Sequence, residues 1–253
     1  MLNISNIQHF STGDGEGIRT TVFFKDCNLR CPWCHNPENL TADPTVLHYR
    51  SAGKEETLGR QVLAQEILGE LLEDRDFYNE SRGGVTLSGG EAMLQAEEIV
   101  PLVKLLKENG VSVLVDTAGC VPYSSFQKLN PFVTGYLFDF KTAEEKQYRA
   151  IGGSLGQVVE NIQRLCADNV EVTIRIPLIP GWNTSKRSTQ LICECLQGLG
   201  IRHVELLPFH RLGSAKYEAM GLAYAYGAQK PLTKAEIGEI QAVYQNYFSV
   251  TVE

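Results

Sequence analysis

The chain has 253 residues, 43% of them hydrophobic and 21% charged, and a net charge of −7. That length suits one or two domains of about 150 residues or a single α/β barrel of about 200–250, and the composition is too apolar for intrinsic disorder. No apolar run reaches the roughly 18 residues of a membrane span, Met1-Leu2-Asn3-Ile4 lacks the basic and apolar regions of a signal peptide, and the acidic balance leaves no surplus of cations to replace counterions on nucleic acid.

Taken in order, Thr20-Thr21-Val22-Phe23-Phe24 reads as a strand leading into a cluster of cysteines. Thr41 to Thr57 is polar and reads as a loop. Leu68, Leu71 and Leu72 carry helical spacing towards Phe77, and Gly84 to Ser88 is a strand. Ile99, Leu102, Val103 and Leu106 fall at i, i+3, i+4, i+7, one face of a helix that Asn109-Gly110 ends. Val111–Val115 is a strand, Tyr123–Leu129 a helix and Tyr136–Phe140 a strand. Val158, Val159, Ile162 and Leu165 mark a helix, and Val170–Ile176 a strand. Ser185–Leu199 is a helix, His203–Leu207 a strand, Lys234–Tyr247 a helix and Phe248–Val252 a last strand.

Strands alternating with helices imply parallel strands joined by right-handed crossovers. Six such strands before the terminal one suit either an open doubly wound sheet or an incomplete β/α barrel. In both, reactive groups gather beyond the C-terminal ends of the strands. The cysteines, Ser88-Gly89-Gly90-Glu91, Asp116-Thr117, Lys141 and Pro208-Phe209-His210 all lie at such positions, and Arg175 lies inside a strand.

Seven cysteines on a chain with no secretory mark speak for a reducing compartment, the cytoplasm, and against a disulfide scaffold. Cys27, Cys31 and Cys34 lie within eight residues, as C-x3-C-x2-C. Three thiolates on one short loop can hold three irons of a [4Fe–4S] cluster and leave the fourth open. A Cys₃His zinc site with His35 is the alternative. Cys193 and Cys195 face different sides of one helix. Cys166 falls at helical spacing from Ile162 and reads as core, and Cys120 reads as packing.

C-x3-C-x-(aromatic)-C, with Trp33 as the aromatic residue, resembles the signature of the radical S-adenosylmethionine (SAM) superfamily. The longer string Cys31-Pro32-Trp33-Cys34-His35-Asn36-Pro37-Glu38 resembles the glycyl-radical-enzyme activating enzymes. So do Asp14-Gly15-Glu16-Gly17-Ile18-Arg19, where Glu16 replaces a common proline, and Gly83-Gly84-Val85-Thr86-Leu87-Ser88-Gly89-Gly90-Glu91. Asp116-Thr117-Ala118-Gly119, Asp139-Phe140-Lys141, Arg175, Pro180-Gly181-Trp182 and Leu206-Leu207-Pro208-Phe209-His210 follow in the family's order.

The resemblance implies an incomplete (β/α)6 barrel of the radical SAM type, residues 1–253 as one domain. It implies one [4Fe–4S] cluster on Cys27, Cys31 and Cys34, with SAM held by Trp33, His35, Gly89, Gly90, Glu91, Asp116, Thr117, Asp139, Lys141, Arg175 and His210. Gly89, Gly90 and Glu91 would meet the amino group of SAM, and a β-branched residue at Gly90 would block SAM while sparing the cluster. Lys141, Arg175 and His210 would meet its carboxylate and ribose; pairing of Arg175 with Glu171 or Glu205 is the structural alternative. Asp116, Thr117 and Asp139 would surround a monovalent cation, although Leu137 stands where a methionine is usual. Asp14 and Arg19 would meet the glycine loop of a protein substrate, a glycyl radical enzyme. A flavodoxin- or ferredoxin-type protein would supply electrons under anaerobic conditions. Many relatives carry a ferredoxin-like, eight-cysteine insert between the cysteine loop and the Gly-Gly-Glu strand; here no cysteine lies between Cys34 and Cys120. The rival readings are a radical SAM enzyme acting on a small molecule and a non-catalytic metal-binding adaptor.

Overall fold

The structure, a computed structural model, describes residues 1–49 and 53–253. In chain order the strands are β1 (Leu2–Ser11), β2 (Arg19–Phe24), β3 (Thr45–Tyr49), β4 (Lys54–Leu58), β5 (Arg60–Val62), β6 (Gly84–Gly89), β7 (Ser112–Thr117), β8 (Gly135–Asp139), β9 (Glu171–Leu178), β10 (His203–Pro208) and β11 (Ser249–Val252). The helices are α1 (Ala64–Leu72), α2 (Arg75–Ser81), α3 (Ala96–Glu108), α4 (Tyr123–Leu129), α5 (Glu145–Ala150), α6 (Leu155–Ala167), α7 (Lys186–Gly198), α8 (Ser214–Ala219) and α9 (Lys234–Gln245).

Nine strands form one sheet in the order β11-β10-β9-β8-β7-β6-β2-β1-β5. From β2 through β6 to β11 every pairing is parallel; β1 runs antiparallel to both β2 and β5. This order decides between the two architectures. A doubly wound sheet reverses its strand order at a switch point. Here each parallel strand lies beside the one before it, so the crossovers all advance in one direction and the sheet curls into an incomplete six-unit barrel.

Helix boundaries follow local chemistry. Ser154, Ser185 and Thr233 cap α6, α7 and α9 by accepting from the backbone N–H three residues on. Thr233 and Glu236 complete a reciprocal capping box. Gly110, at φ +73°, ends the turn after α3 in the left-handed region. The face of α3 that carries Ile99, Leu102, Val103 and Leu106 is fully buried.

Two expectations need correction. Thr41–Thr57 is not a loop throughout: β3 and β4 pair antiparallel as a separate two-stranded sheet, with Leu47 buried. Residues 50–52 of that stretch lie outside the described residues. The N-terminal strand β1 was not expected. Cys166 is exposed rather than core, because its position on α6 falls outside the buried stripe of Val158, Asn161, Ile162 and Leu165. No helix among the described residues is long and apolar enough to cross a membrane.

Candidate active site

The C-terminal ends of the parallel strands surround a cavity of about 490 Å³. After β2 the chain turns at Asp26, whose φ of +76° is one that Asp tolerates better than most side chains. The Asp26 carboxylate accepts from the Cys27 N–H at 3.0 Å. Cys27, Cys31 and Cys34 then all line the cavity, as unpaired thiols. Their loop is pinned from outside: Arg30 N–H donates to the Ile151 carbonyl at 2.8 Å, and Asn28 Nδ2 to that of Cys120 at 2.6 Å. Cys34 N–H donates to the Cys31 carbonyl, and Pro37 opens a short 3₁₀ turn, Pro37–Asn39, a position where its missing N–H costs nothing. Trp33 is buried against Trp182, ring centroids 4.7 Å apart.

This donor set fits an iron–sulfur cluster. Three free thiols line one cavity with no disulfide between them; burial raises all three thiol pKa values, that of Cys27 to about 12 and that of Cys34 to about 11. Among the described residues no three His, Cys, Asp or Glu side chains converge as a single-ion site. One zinc needs four donors within about 2.0–2.3 Å, whereas an iron–sulfur cube takes one thiolate per iron, so three thiolates leave one iron open. His35 also lines the cavity. It stacks on His210 at 4.1 Å, and its buried Nε2 has no partner among the described residues. Burial, followed by the neighbouring His210, lowers the His35 pKa to about 4, which leaves the imidazole neutral.

Gly89 and Gly90 line the cavity where β6 ends. Gly89 has φ +116°, and a Cβ there would stand 2.3 Å from Phe24 N. A Cβ on Gly90 would stand 2.1 Å from the Asp26 carbonyl and 2.6 Å from that of Asn39. Gly90 is therefore required by the backbone of the cysteine loop itself. The expectation that a β-branched residue there would spare the cluster is corrected: its side chain would displace the turn that carries Cys27.

Glu91 does not line the cavity. Its carboxylate accepts from Met93 N at 3.1 Å, Thr117 Oγ1 at 2.7 Å and Ala118 N at 2.9 Å. It ties the end of β6 to the end of β7 rather than presenting an oxygen to a ligand. Thr117 lines the cavity, but its hydroxyl proton goes to Glu91. Asp116 accepts from Ser88 Oγ at 2.7 Å, and Asp139 pairs with Lys141 Nζ at 2.9 Å. Burial, and then the Asp139 charge, raises the Asp116 pKa to about 7. Burial opposes the charge on Lys141, but Asp139 above all outweighs it and raises its pKa well above the ordinary value.

Arg175 rises from β9 at the cavity floor. Its Nη2 donates to the Gly13 carbonyl at 2.7 Å and to Glu253 Oε2 at 3.0 Å, and its Nε lies 3.5 Å from Glu205 Oε2. Burial disfavours the guanidinium, yet Asp116, Asp139, Glu253 and Glu205 together raise its pKa. The structural pairing with Glu205 is thus present, and that with Glu171 is not. Asp14 lines the same floor, its carboxylate accepting from Thr21 Oγ1 at 2.6 Å.

Arg19 is not brought to the cavity. It is 1% exposed at the start of β2, opposite the mouth, and donates to Thr86 Oγ1 at 2.6 Å and the Val85 carbonyl at 2.8 Å. Burial lowers its pKa to about 10. A side chain enclosed in this way cannot meet a partner's loop, which corrects the expectation that paired it with Asp14. Among the polar lining residues, Asn36, Ser88 and Glu253 were missed. Ser88 lies inside the quoted motif, and its hydroxyl next to two glycines was the available signal. Glu253 carries no local signal; β11, paired parallel to β10, delivers it.

The model of the radical SAM superfamily matches residues 21–189. The pyruvate formate-lyase 2-activating enzyme of Escherichia coli (strain K12) is 38% identical, over 88% of this chain and 82% of the relative. The trans-4-hydroxy-L-proline dehydratase activating enzyme of Clostridioides difficile is 30% identical, over 96% of this chain and 95% of the relative. In fold the chain is similar to a radical SAM methyltransferase from Sphaerobacter thermophilus, with a TM-score of 0.65 at 16% identity, over 99% of this chain and 76% of that one. The chain belongs to the radical SAM superfamily and, within it, to the glycyl-radical-enzyme activating enzymes.

Proposed function

We propose that this chain activates a partner glycyl radical enzyme. The observation that carries the reading is a single cavity that joins three free thiols to two strand-end glycines, in a chain whose relatives are named for activating such enzymes. The family implies a [4Fe–4S] cluster and SAM; Cys27, Cys31 and Cys34 are the residues that would hold the cluster. Held by those thiolates, a reduced cluster would supply the single electron that cleaves SAM, and the hydrogen-atom abstraction this makes possible would be directed at a glycine Cα of the partner.

The protein's part is alignment and exclusion of water. Gly89 and Gly90 let backbone approach the methionine end of SAM. Glu91 acts behind them, fixing the β6 and β7 ends at their working separation. Lys141 and His210 would meet the carboxylate and ribose, with neutral His35 beside them. Arg175 is mainly a brace of the floor, and Trp33 walls the cavity. Asp116 and Asp139, two carboxylates from neighbouring strands near Thr117, would hold a monovalent cation; hard oxygen donors suit such an ion. Asp14, on the floor, is the residue we assign to the partner's glycine loop.

One cluster is expected, because the cysteine-free stretch from His35 to Gly119 leaves no ligands for a second, and the whole chain is read as one domain. The electron donor is taken to be a flavodoxin- or ferredoxin-type protein, in an anaerobic cytoplasm.

The test is anaerobic. The reconstituted protein, SAM and a strong reductant are mixed with pyruvate formate-lyase or with trans-4-hydroxyproline dehydratase, and the product is read by EPR. The expected result is a glycine-centred doublet that disappears when the partner's glycine loop is truncated. Repeated SAM-dependent conversion of a small metabolite with no partner protein present would contradict it.

A further inference from the structure

The segment that follows β10 wraps the outer side of the cysteine loop. None of Lys216, Tyr217 and Tyr224 lines the cavity, yet this segment holds the loop around Cys34 at three points. Gly213 lies flat on it: a Cβ there would stand 3.1 Å from His35 Cα and 3.4 Å from the Cys34 carbonyl. Lys216 Nζ donates to Asn36 Oδ1 at 2.8 Å and to Glu38 Oε1 at 2.5 Å. Tyr224 donates its hydroxyl proton to the Trp33 carbonyl at 3.2 Å.

Glu38 is 4% exposed, and its second oxygen has no partner among the described residues. Lys216 is the cation on its carboxylate, while Lys25 Nζ is bound to the Glu38 backbone carbonyl and Thr45 Oγ1 instead. Removing Lys216 would leave a buried charge unpaired on the turn that carries the third thiol. Tyr217 stacks on Tyr224, ring centroids 4.4 Å apart. Lys216 and Tyr224 thus reach the loop on either side of Cys34, at Asn36 and Glu38 and at Trp33.

The potential and lability of an iron–sulfur cluster follow from local charge, hydrogen bonding and solvent exposure. All three meet at this turn. We propose that Lys216 and Tyr224 are positioning residues for the Cys34 side of the cluster, so that the segment after β10 sets how firmly the cluster is held and at what potential it is reduced. The proposal rests on the reading that Cys27, Cys31 and Cys34 hold the cluster.

The experiment uses the full chain, reconstituted without oxygen, as wild type, Lys216→Met, Lys216→Arg and Tyr224→Phe. Iron release to an iron(II) chelator and the midpoint potential by EPR-monitored titration are measured, together with the melting of each apo chain. Lys216→Met is expected to release iron at least about tenfold faster, the lower end of what loss of an outer-shell partner costs. Its midpoint should shift to lower potential, because a nearby positive charge favours the reduced state. Lys216→Arg should restore both, and Tyr224→Phe should release iron faster than wild type. Wild-type release and midpoint in both Lys216→Met and Tyr224→Phe would overturn the proposal. So would apo melting that falls in both variants while the midpoint of Lys216→Met stays put, since that outcome makes the role purely structural. A wild-type chain that assembles no iron–sulfur cluster would instead overturn the cysteine assignment beneath it.

Discussion

Arg175 Nη2 donates to the carbonyl oxygen of Gly13 across 2.7 Å, joining residues 162 positions apart in the sequence. The same nitrogen reaches Glu253 on the far edge of the sheet. One guanidinium thus spans the open side of the barrel at its floor, between the β1–β2 loop and the end of β11. Its Nε faces Glu205 at 3.5 Å, so the planar guanidinium addresses partners from two separate nitrogens, which a single ammonium does not.

Arg175→Met is expected to lower the stability of the apo chain by about 3 kcal/mol, the lower end of the cost of breaking a buried ion pair, because Glu253 is partly solvated. Arg175→Lys should recover only part of this. Urea unfolding of the three proteins checks it; a Lys variant as stable as wild type would show that charge alone, not the fork, matters.

Gly90→Ala is expected to reduce both the iron content after reconstitution and the binding of SAM, since its Cβ would press on the carbonyls of Asp26 and Asn39. Gly198→Ala, with nothing within 4 Å of its Cβ, is the control and should change neither. Full iron content in Gly90→Ala with loss of SAM binding alone would restore a purely ligand-facing role.

β6 and β8 were legible because both of their faces are buried. They read as near-continuous apolar or small runs, as buried parallel strands do. β1 was not, and the reason is visible in its register. The pairing with β2 shifts between Ile4 and Asn6, so the inward parity moves from Leu2 and Ile4 to a different phase before Ile7. A bulge of this kind erases the period-2 signal. β3 and β4 bury little beyond Leu47 and look polar for that reason. At the site, residue types at strand ends were readable. Whether a side chain turns inward was not: Glu91 and Arg19 carry suitable chemistry but are bonded elsewhere, a fact of packing that no spacing encodes.

His9 offers a pH test away from the cavity. Its Nδ1 lies 2.6 Å from Asp74 Oδ2, and that hydrogen bond, outweighing burial, raises its pKa above 6.5. Glu70 and Glu73 add to the rise, and Thr20 also donates to Asp74. A group whose folded pKa is raised stabilises the fold fully below its unfolded value, and that contribution is lost as pH rises through the folded value. The stability gap between wild type and His9→Gln should therefore be widest at about pH 5.5 and shrink towards about pH 8.5. Melts of the apo chains at both pH values measure it; a gap that widens with pH would reverse the assignment.

The most direct measurement is the EPR spectrum of the reduced, anaerobically reconstituted protein before and after SAM is added, with iron and sulfide counted on the same sample. One [4Fe–4S] cluster per chain is predicted, with a signal that SAM perturbs. Cys31→Ala should abolish the signal and Cys193→Ala, a core position on α7, should leave it. A chain that holds one zinc and no iron, or a cluster signal that SAM leaves unchanged, would contradict the account.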